Sequence, residues 1–284
     1  MKQSEGFSAR TLALGILTAS LAVCFQQVGA ERPARAVLLL GLPCAVVLAA
    51  LAALFSAFAQ RWRLFSGMDG RSKVVCGLFG LWFLWELFQI SAQAHQICWE
   101  QFGSMAVIGL APLLFWIGWQ LDGQALDHTA RILWWFVWLG ALVCVAGLGS
   151  QMRWQRLLET AASLRGRTPP MLPLYAEYFA LPLLGDPQTC RKGAGLPFVG
   201  FGVQAVFALG MELLFGPMTS SSYTGYELLR AWAMGVFSRM DALLVLFWLA
   251  TALYRICFLS CVLRRVCQRL LAPVGAGPEK GEAA

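Results

Sequence analysis

The sequence predicts an all-α, polytopic membrane helix bundle of about eight transmembrane segments. Three observations carry that prediction. Between Thr11 and Leu271 the chain is mostly apolar blocks, among them Ala36–Ala59, Val74–Ala92, Ile132–Ser150, Leu196–Phe215 and Ala242–Leu263, each with one charge at most. A crossing needs roughly 20 largely apolar residues at 1.5 Å rise each, and hydrocarbon forces such a segment to pair its own backbone groups, so each block is a helix. Hydrophobic residues make up 58% of the chain and charged ones 13%, where a soluble domain carries about 25% charged residues. The chain also holds 12 Trp, and Trp62, Trp99, Trp119 and Trp154 stand near block ends, where amphipathic rings anchor at the interface.

Taken in order, the predicted segments are 9–30, 36–59, 74–95, 102–121, 132–151, 171–184, 196–217 and 236–263. The first is read as a retained helix over Thr11–Ala30: Lys2, Glu5 and Arg10 precede it and a second span follows at once, unlike a cleaved signal. The sixth is short and rich in proline, with Pro169, Pro170, Pro173, Pro182 and Pro187 in and around it. Proline lacks the N–H a helix needs. This segment is therefore predicted to be broken or re-entrant and shielded from lipid by its neighbours. Residues 1–272 form one transmembrane domain, and the small, polar stretch 273–284 reads as a disordered cytoplasmic tail.

Alternating the segments from an inside N-terminus puts thirteen Lys and Arg inside and eight outside, with Arg255 left within the last span. The positive-inside rule then favours both termini on the cytoplasmic side. The net charge of +7 reads as these topology-setting arginines. No basic stripe is interleaved with polar surface, so nucleic acid is not an expected partner. The bilayer is.

Ionisable side chains inside spans are costly and so are functional candidates. Glu86 lies mid-way along the third segment, with Gln89 and Gln93 at i+3 and i+7, a polar stripe on one helix face. Such a stripe serves either a ligand or helix–helix hydrogen bonding. Glu177 lies in the broken segment between Tyr175 and Tyr178. Unwound backbone at membrane depth offers free dipoles that can hold substrate, and phenol rings attract ammonium groups. Glu177, Tyr175, Tyr178, Glu86 and Gln89 are therefore the candidate ligand-binding set, for a cationic or zwitterionic small molecule. The alternative is a Glu177 that faces an aqueous vestibule with no specific role. Glu212 is read as reaching headgroups, and Arg255 as snorkelling along its stem. Arg239 and Asp241 are read as an ion pair at the start of the eighth segment, where the dipole favours Asp.

Chemistry beyond binding is not expected. His95 and His128 are the only two histidines, both beside segment ends, and no serine-nucleophile, zinc-protease or phosphate-loop motif occurs. The reading is not an enzyme and needs no cofactor. Of the nine cysteines none forms a CxxC pair; Cys257 and Cys261 share a helix face but lack a local His or carboxylate, so no metal site is expected.

The order of features resembles the spore-germination permease family, the membrane-embedded B subunits of germinant receptors within the amino acid–polyamine–organocation superfamily. FSARTLALGIL resembles the family's opening, ISxRQLxxLxxL. LDGQALDHTARIL, from Leu121 to Leu133, resembles its short G-x-E-x-x-A-R connection, with Gln124 where Glu is usual. The proline-rich segment with Tyr175, Glu177 and Tyr178 looks like its broken helix. The stretch Tyr223–Val262 is similar to YPxxxxxRxxxxGxFxERxDALxxxxWxxxxFxKxxxxxY at Arg230, Gly235, Phe237, Arg239, Asp241, Ala242, Leu243 and Trp248. Members usually have about ten helices in inverted repeats, so the resemblance implies a C-terminally shortened version of that fold. It also implies a small germinant such as an amino acid as ligand, and other receptor subunits as partners. A secondary transporter for amino acids or organic cations, and an assembly scaffold without ligand binding, are the competing functions.

Overall fold

The structure is a computed structural model that describes residues 7–26, 34–62, 64–65, 69–149, 152–156, 172–184, 193–215 and 240–271. The tail 273–284 and Arg239 lie outside them. Asp241 is helical, but its side chain is outside the described set as well, so the Arg239–Asp241 pair is not described. The elements are α1 (Ala9–Gln26), α2 (Ala34–Arg61), α3 (Gly70–Phe102), α4 (Ala106–Gln120), α5 (Gly123–Gly149), a single 3-10 turn at Ala176–Tyr178, α6 (Leu181–Leu184), α7 (Leu196–Phe215) and α8 (Met240–Leu271). Among the described residues there is no strand. The fold is the all-α membrane bundle that the apolar blocks predict.

Five stretches are long and apolar enough to cross a bilayer: Val37–Arg61, Gly70–Glu100, Gly123–Gly149, Leu196–Phe215 and Leu244–Leu271. Ala9–Cys24 and Ala106–Gln120 are shorter apolar helices. Several boundaries differ from the sequence reading; α3, for one, runs over Gly70–Phe102 where the sequence predicts 74–95. The fifth helix starts at Gly123 and not near 132, because the connection from α4 is only Leu121 and Asp122. Its first turns hold charge on one side, where Asp127 and Arg131 pair at i, i+4 at 3.0 Å. The last helix runs on to Leu271 and carries Arg264, Arg265 and Arg269 as helical residues.

α8 is the hub. In its most apolar window 72% of residues are buried, against 17–39% for the other four long spans. It packs against α3, α4, α1 and α5, while α7 lies against α1 and α2. Its polar residues Thr251, Arg255 and Ser260 are buried, and a central position is the only one that lets them find partners out of lipid. At Gly118 of α4 the backbones nearly touch. A Cβ there would sit 2.5 Å from the Cys257 carbonyl oxygen, the close approach that small residues allow between membrane helices. The outer face is Leu39, Leu54, Trp85, Phe88, Trp135, Trp138 and Leu142, all exposed and all suited to lipid.

Contacts between helix ends fix the direction of the helices. At one end, Asp127 of α5 accepts hydrogen bonds from the Ser8 hydroxyl and, at 3.2 Å, from Thr11 Oγ1. Arg264 of α8 donates to the Trp119 and Leu121 carbonyls that close α4, at 2.6 and 2.9 Å. Phe7 meets Phe258 edge-on at 5.2 Å and lies under Arg265 at 4.3 Å. The Phe7 N–H donates to the Leu184 carbonyl at 3.0 Å, so the broken segment also finishes here. At the other end, the Ala34 N–H that opens α2 donates to Glu212 Oε2 at 2.6 Å, and the Arg153 N–H to the Leu213 carbonyl at 3.1 Å. Glu212 is thus buried and caps α2, where the sequence reading sends it to headgroups. The start of α1 and the end of α8 share one end of the bundle.

Candidate functional site

The broken segment runs through the middle of the bundle. Leu172–Tyr175 is irregular, with Tyr175 extended at φ −103°, ψ 142°, and Pro173 keeps a regular helix from forming there. Ala176–Tyr178 makes one 3-10 turn, and α6 then takes Pro182 in its first turn, where the missing N–H has no helical partner to lose. Four of the N–H groups around this turn are taken up as follows. Those of Tyr178, Phe179 and Ala180 bond to carbonyls of Tyr175 or Ala176. That of Ala176 reaches across to Glu86 Oε1 of α3 at 3.3 Å. One carboxylate therefore ties the unwound backbone to a neighbouring helix.

Arg255 of α8 stands at the centre, 1% exposed, with Glu177 at 0% and Glu86 at 4%. Its Nη2 donates to Glu86 Oε2 at 2.8 Å and to Glu177 Oε1 at 2.6 Å, and its Nε donates to the same Glu177 oxygen at 3.0 Å. A guanidinium suits this because its planar fork can bridge two carboxylates. The second oxygen of Glu177, Oε2, is buried without a hydrogen-bond partner among the described residues. With both carboxylates ionised, the three side chains hold two negative charges against one positive.

The phenols complete the site. The Tyr175 ring faces the Arg255 guanidinium at 5.8 Å, within range of a cation–π contact, and its hydroxyl accepts from Ser20 of α1 at 3.2 Å. Tyr178 stands edge-on to Tyr175 at 5.5 Å, and its hydroxyl is buried with no partner among the described residues. Two glycines admit this cluster. A Cβ at Gly15 of α1 would lie 3.2 Å from Glu177 Oε1, and one at Gly200 of α7 would lie 2.7 Å from the Tyr178 hydroxyl. Trp248 of α8 donates to the Thr18 carbonyl at 3.1 Å and holds α1 against α8 beside the site.

Of the candidate residues, Glu177, Tyr175, Tyr178 and Glu86 come together. Gln89 does not join them: it is exposed on the outer side of α3, and Gln93 is half-buried. Arg255 is the residue that sequence reasoning misses. Read as snorkelling, it is instead fully enclosed and paired. The signal was its depth. It lies nine positions before Arg264, on the order of 13 Å along a helix at 1.5 Å per residue, too far for its stem to reach water. The Cys257 and Cys261 thiols donate to the Leu114 and Leu121 carbonyls at 3.5 and 3.4 Å. No group of three metal-ligating side chains occurs among the described residues.

The arrangement offers a buried, partly unsatisfied ionic centre at an unwound segment, beside two phenol rings. No family model, no curated protein and no solved structure matches the chain.

Proposed function

We propose that this integral membrane protein is a permease-like sensor that binds a small ammonium-bearing molecule at the Glu86–Glu177–Arg255 centre. In this reading it works as the resemblance to germinant-receptor B subunits implies: occupancy biases a conformational equilibrium that partner subunits in a bacterial membrane read, with both termini cytoplasmic. The observation that carries the reading is Glu177 Oε2, an enclosed carboxylate oxygen with no partner among the described residues, beside one that takes two guanidinium N–H bonds. Buried polar atoms are normally satisfied, and a carboxylate in a low dielectric attracts a cation strongly. The Tyr178 hydroxyl, without a partner among the described residues, is a second acceptor for the same ammonium group, and the Tyr175 and Tyr178 rings supply faces for it.

Glu177→Gln keeps the shape and removes the charge. It should weaken the response to a cognate amine or amino acid by about tenfold or more, the loss of a charge-assisted contact worth roughly 1.5–3 kcal/mol. A dose–response unchanged at equal protein level would overturn the reading. Flux of the bound molecule through reconstituted vesicles would turn it from sensor to transporter.

A further inference from the structure

We infer that the Glu86–Glu177–Arg255 centre is reached from the end of the bundle away from the start of α1 and the end of α8, along a hydrated polar track on the inner side of α7 that passes Ser20, the Tyr178 hydroxyl, Gln204 and Glu212. What travels along it rests on the ammonium-binding reading; the track itself does not. Buried polar side-chain atoms normally find partners. Three on this track have none among the described residues: the Tyr178 hydroxyl, Gln204 Nε2 and Glu212 Oε1, on residues 0%, 6% and 4% exposed.

The three follow one line. α7 packs against α1 and α2. At Gly200 the Tyr178 hydroxyl and Ser20 Oγ both come up to the helix, 2.7 and 3.4 Å from where a Cβ would be, and Ser20 also bonds the Tyr175 hydroxyl. Gln204 and Glu212 follow Gly200 in steps of four and eight residues, which fall on one i±4n ridge. At 1.5 Å per residue they stand about 6 and 18 Å beyond it. Glu212 is then at the far end, where its other oxygen takes the N–H that opens α2. The opposite direction is closed by apolar packing. Leu181, Leu183 and Leu184 are buried, and Phe7 is tied to Leu184 through its N–H and set against Phe258. Phe55 meets Phe65, Phe79 and Phe179 at 5.7–6.3 Å. The other unpartnered atoms outside the centre, Ser56 Oγ, His95 Nδ1 and Arg264 Nε, stand singly on α2, α3 and α8.

Cysteine accessibility tests the track without any ligand. Full-length Gln204→Cys in sealed membranes would be treated with a cationic, membrane-impermeant methanethiosulfonate from one side at a time, the side of the termini being identified by a protease-cleavable C-terminal tag. Mass spectrometry of the peptide that carries position 204 keeps the nine native cysteines out of the count. Val206→Cys is the control, because Val206 is 69% exposed on the lipid side of the same helix. A thiol must ionise to react, and apolar surroundings suppress that, so Gln204→Cys should be modified from the side away from the termini at least about tenfold faster than Val206→Cys. Equal rates would overturn the track, and modification only from the side of the termini would overturn its direction. Hydroxyl-radical footprinting of the wild type needs no substitution. Tyr178 should be oxidised and Phe258 protected; a Tyr178 as protected as Phe258 would overturn the track even where the cysteine variants fail to fold. A labelled Gln204→Cys beside an unchanged Glu177→Gln dose–response would keep the track and reject the ammonium reading.

Discussion

At the scale of residues, Arg255 dominates. A guanidinium enclosed in a membrane bundle persists because two carboxylates share it, and each of the three depends on the others. Removing one partner of a buried ionic group leaves uncompensated charge and costs about 3–5 kcal/mol. Arg255→Leu should therefore lower both yield and melting temperature in detergent. The triple variant that adds Glu86→Gln and Glu177→Gln should recover much of the loss, since hydrophobic or neutral replacements of whole buried ionic groups are often tolerated. A single Arg255→Leu that melts like wild type would show that the ion pairs carry no stability. Arg255→Lys is not a mild change here, because one ammonium cannot reproduce the fork that meets both carboxylates. Glu177 and the two tyrosines were legible from sequence because a carboxylate between phenols in a proline-broken segment is conspicuous. Arg255 was not, because a lone arginine near a basic helix end is read as snorkelling until its depth and the carboxylates facing it are known.

At the scale of elements, the broken segment and the α4–α8 contact are the two places where backbone geometry matters most. Prolines determine that the segment at 172–184 cannot be one helix. Where the Ala176 N–H goes is decided by α3, whose Glu86 accepts it. α4 and α8 approach at Gly118, where any Cβ would lie within 2.5–2.9 Å of Cys257 backbone atoms. Overpacking of this kind costs about 1–3 kcal/mol or more when backbone must move. Gly118→Val should thus destabilise the fold in a thermal melt, whereas Gly109→Val on the same helix, where a Cβ meets nothing within 4 Å, should be close to neutral. Equal effects of the two would argue against tight α4–α8 packing. The polar stripe on α3 shows the limit of periodicity. Glu86 and Gln89 are neighbours on the helix surface, yet Glu86 is turned into the bundle and Gln89 out of it, because the face that α8 and the broken segment cover is narrower than the stripe.

At the scale of the whole molecule, the end contacts put the start of α1, the start of α5 and the ends of α4 and α8 together. Arg10, Arg131, Arg264, Arg265 and Arg269 belong to those ends, so positive charge collects on one side, as the positive-inside rule favours for the cytoplasm. Reporter fusions at the two termini, one active only in the cytoplasm and one only outside, should give the same side for both, and that side should be cytoplasmic. Reporters on opposite sides would break the alternation of helix directions. Reporters together on the outer side would instead overturn only the orientation.

The sequence by itself determined the class of the molecule. Apolar blocks of bilayer length leave the backbone no option but helix, and clustered prolines mark where a helix must stop. Those are local rules that act on consecutive residues. Helix pairing was not local. That α8, with an arginine and several hydroxyls, is the buried hub, while the more uniformly apolar α2 and α5 lie outermost, follows from polar side chains seeking each other out of lipid. Which carboxylates meet Arg255 is set by residues 78 and 169 positions away in the chain. Only the tertiary structure brings them together, because the attraction between buried charges acts through space and leaves no period or spacing in the sequence to read.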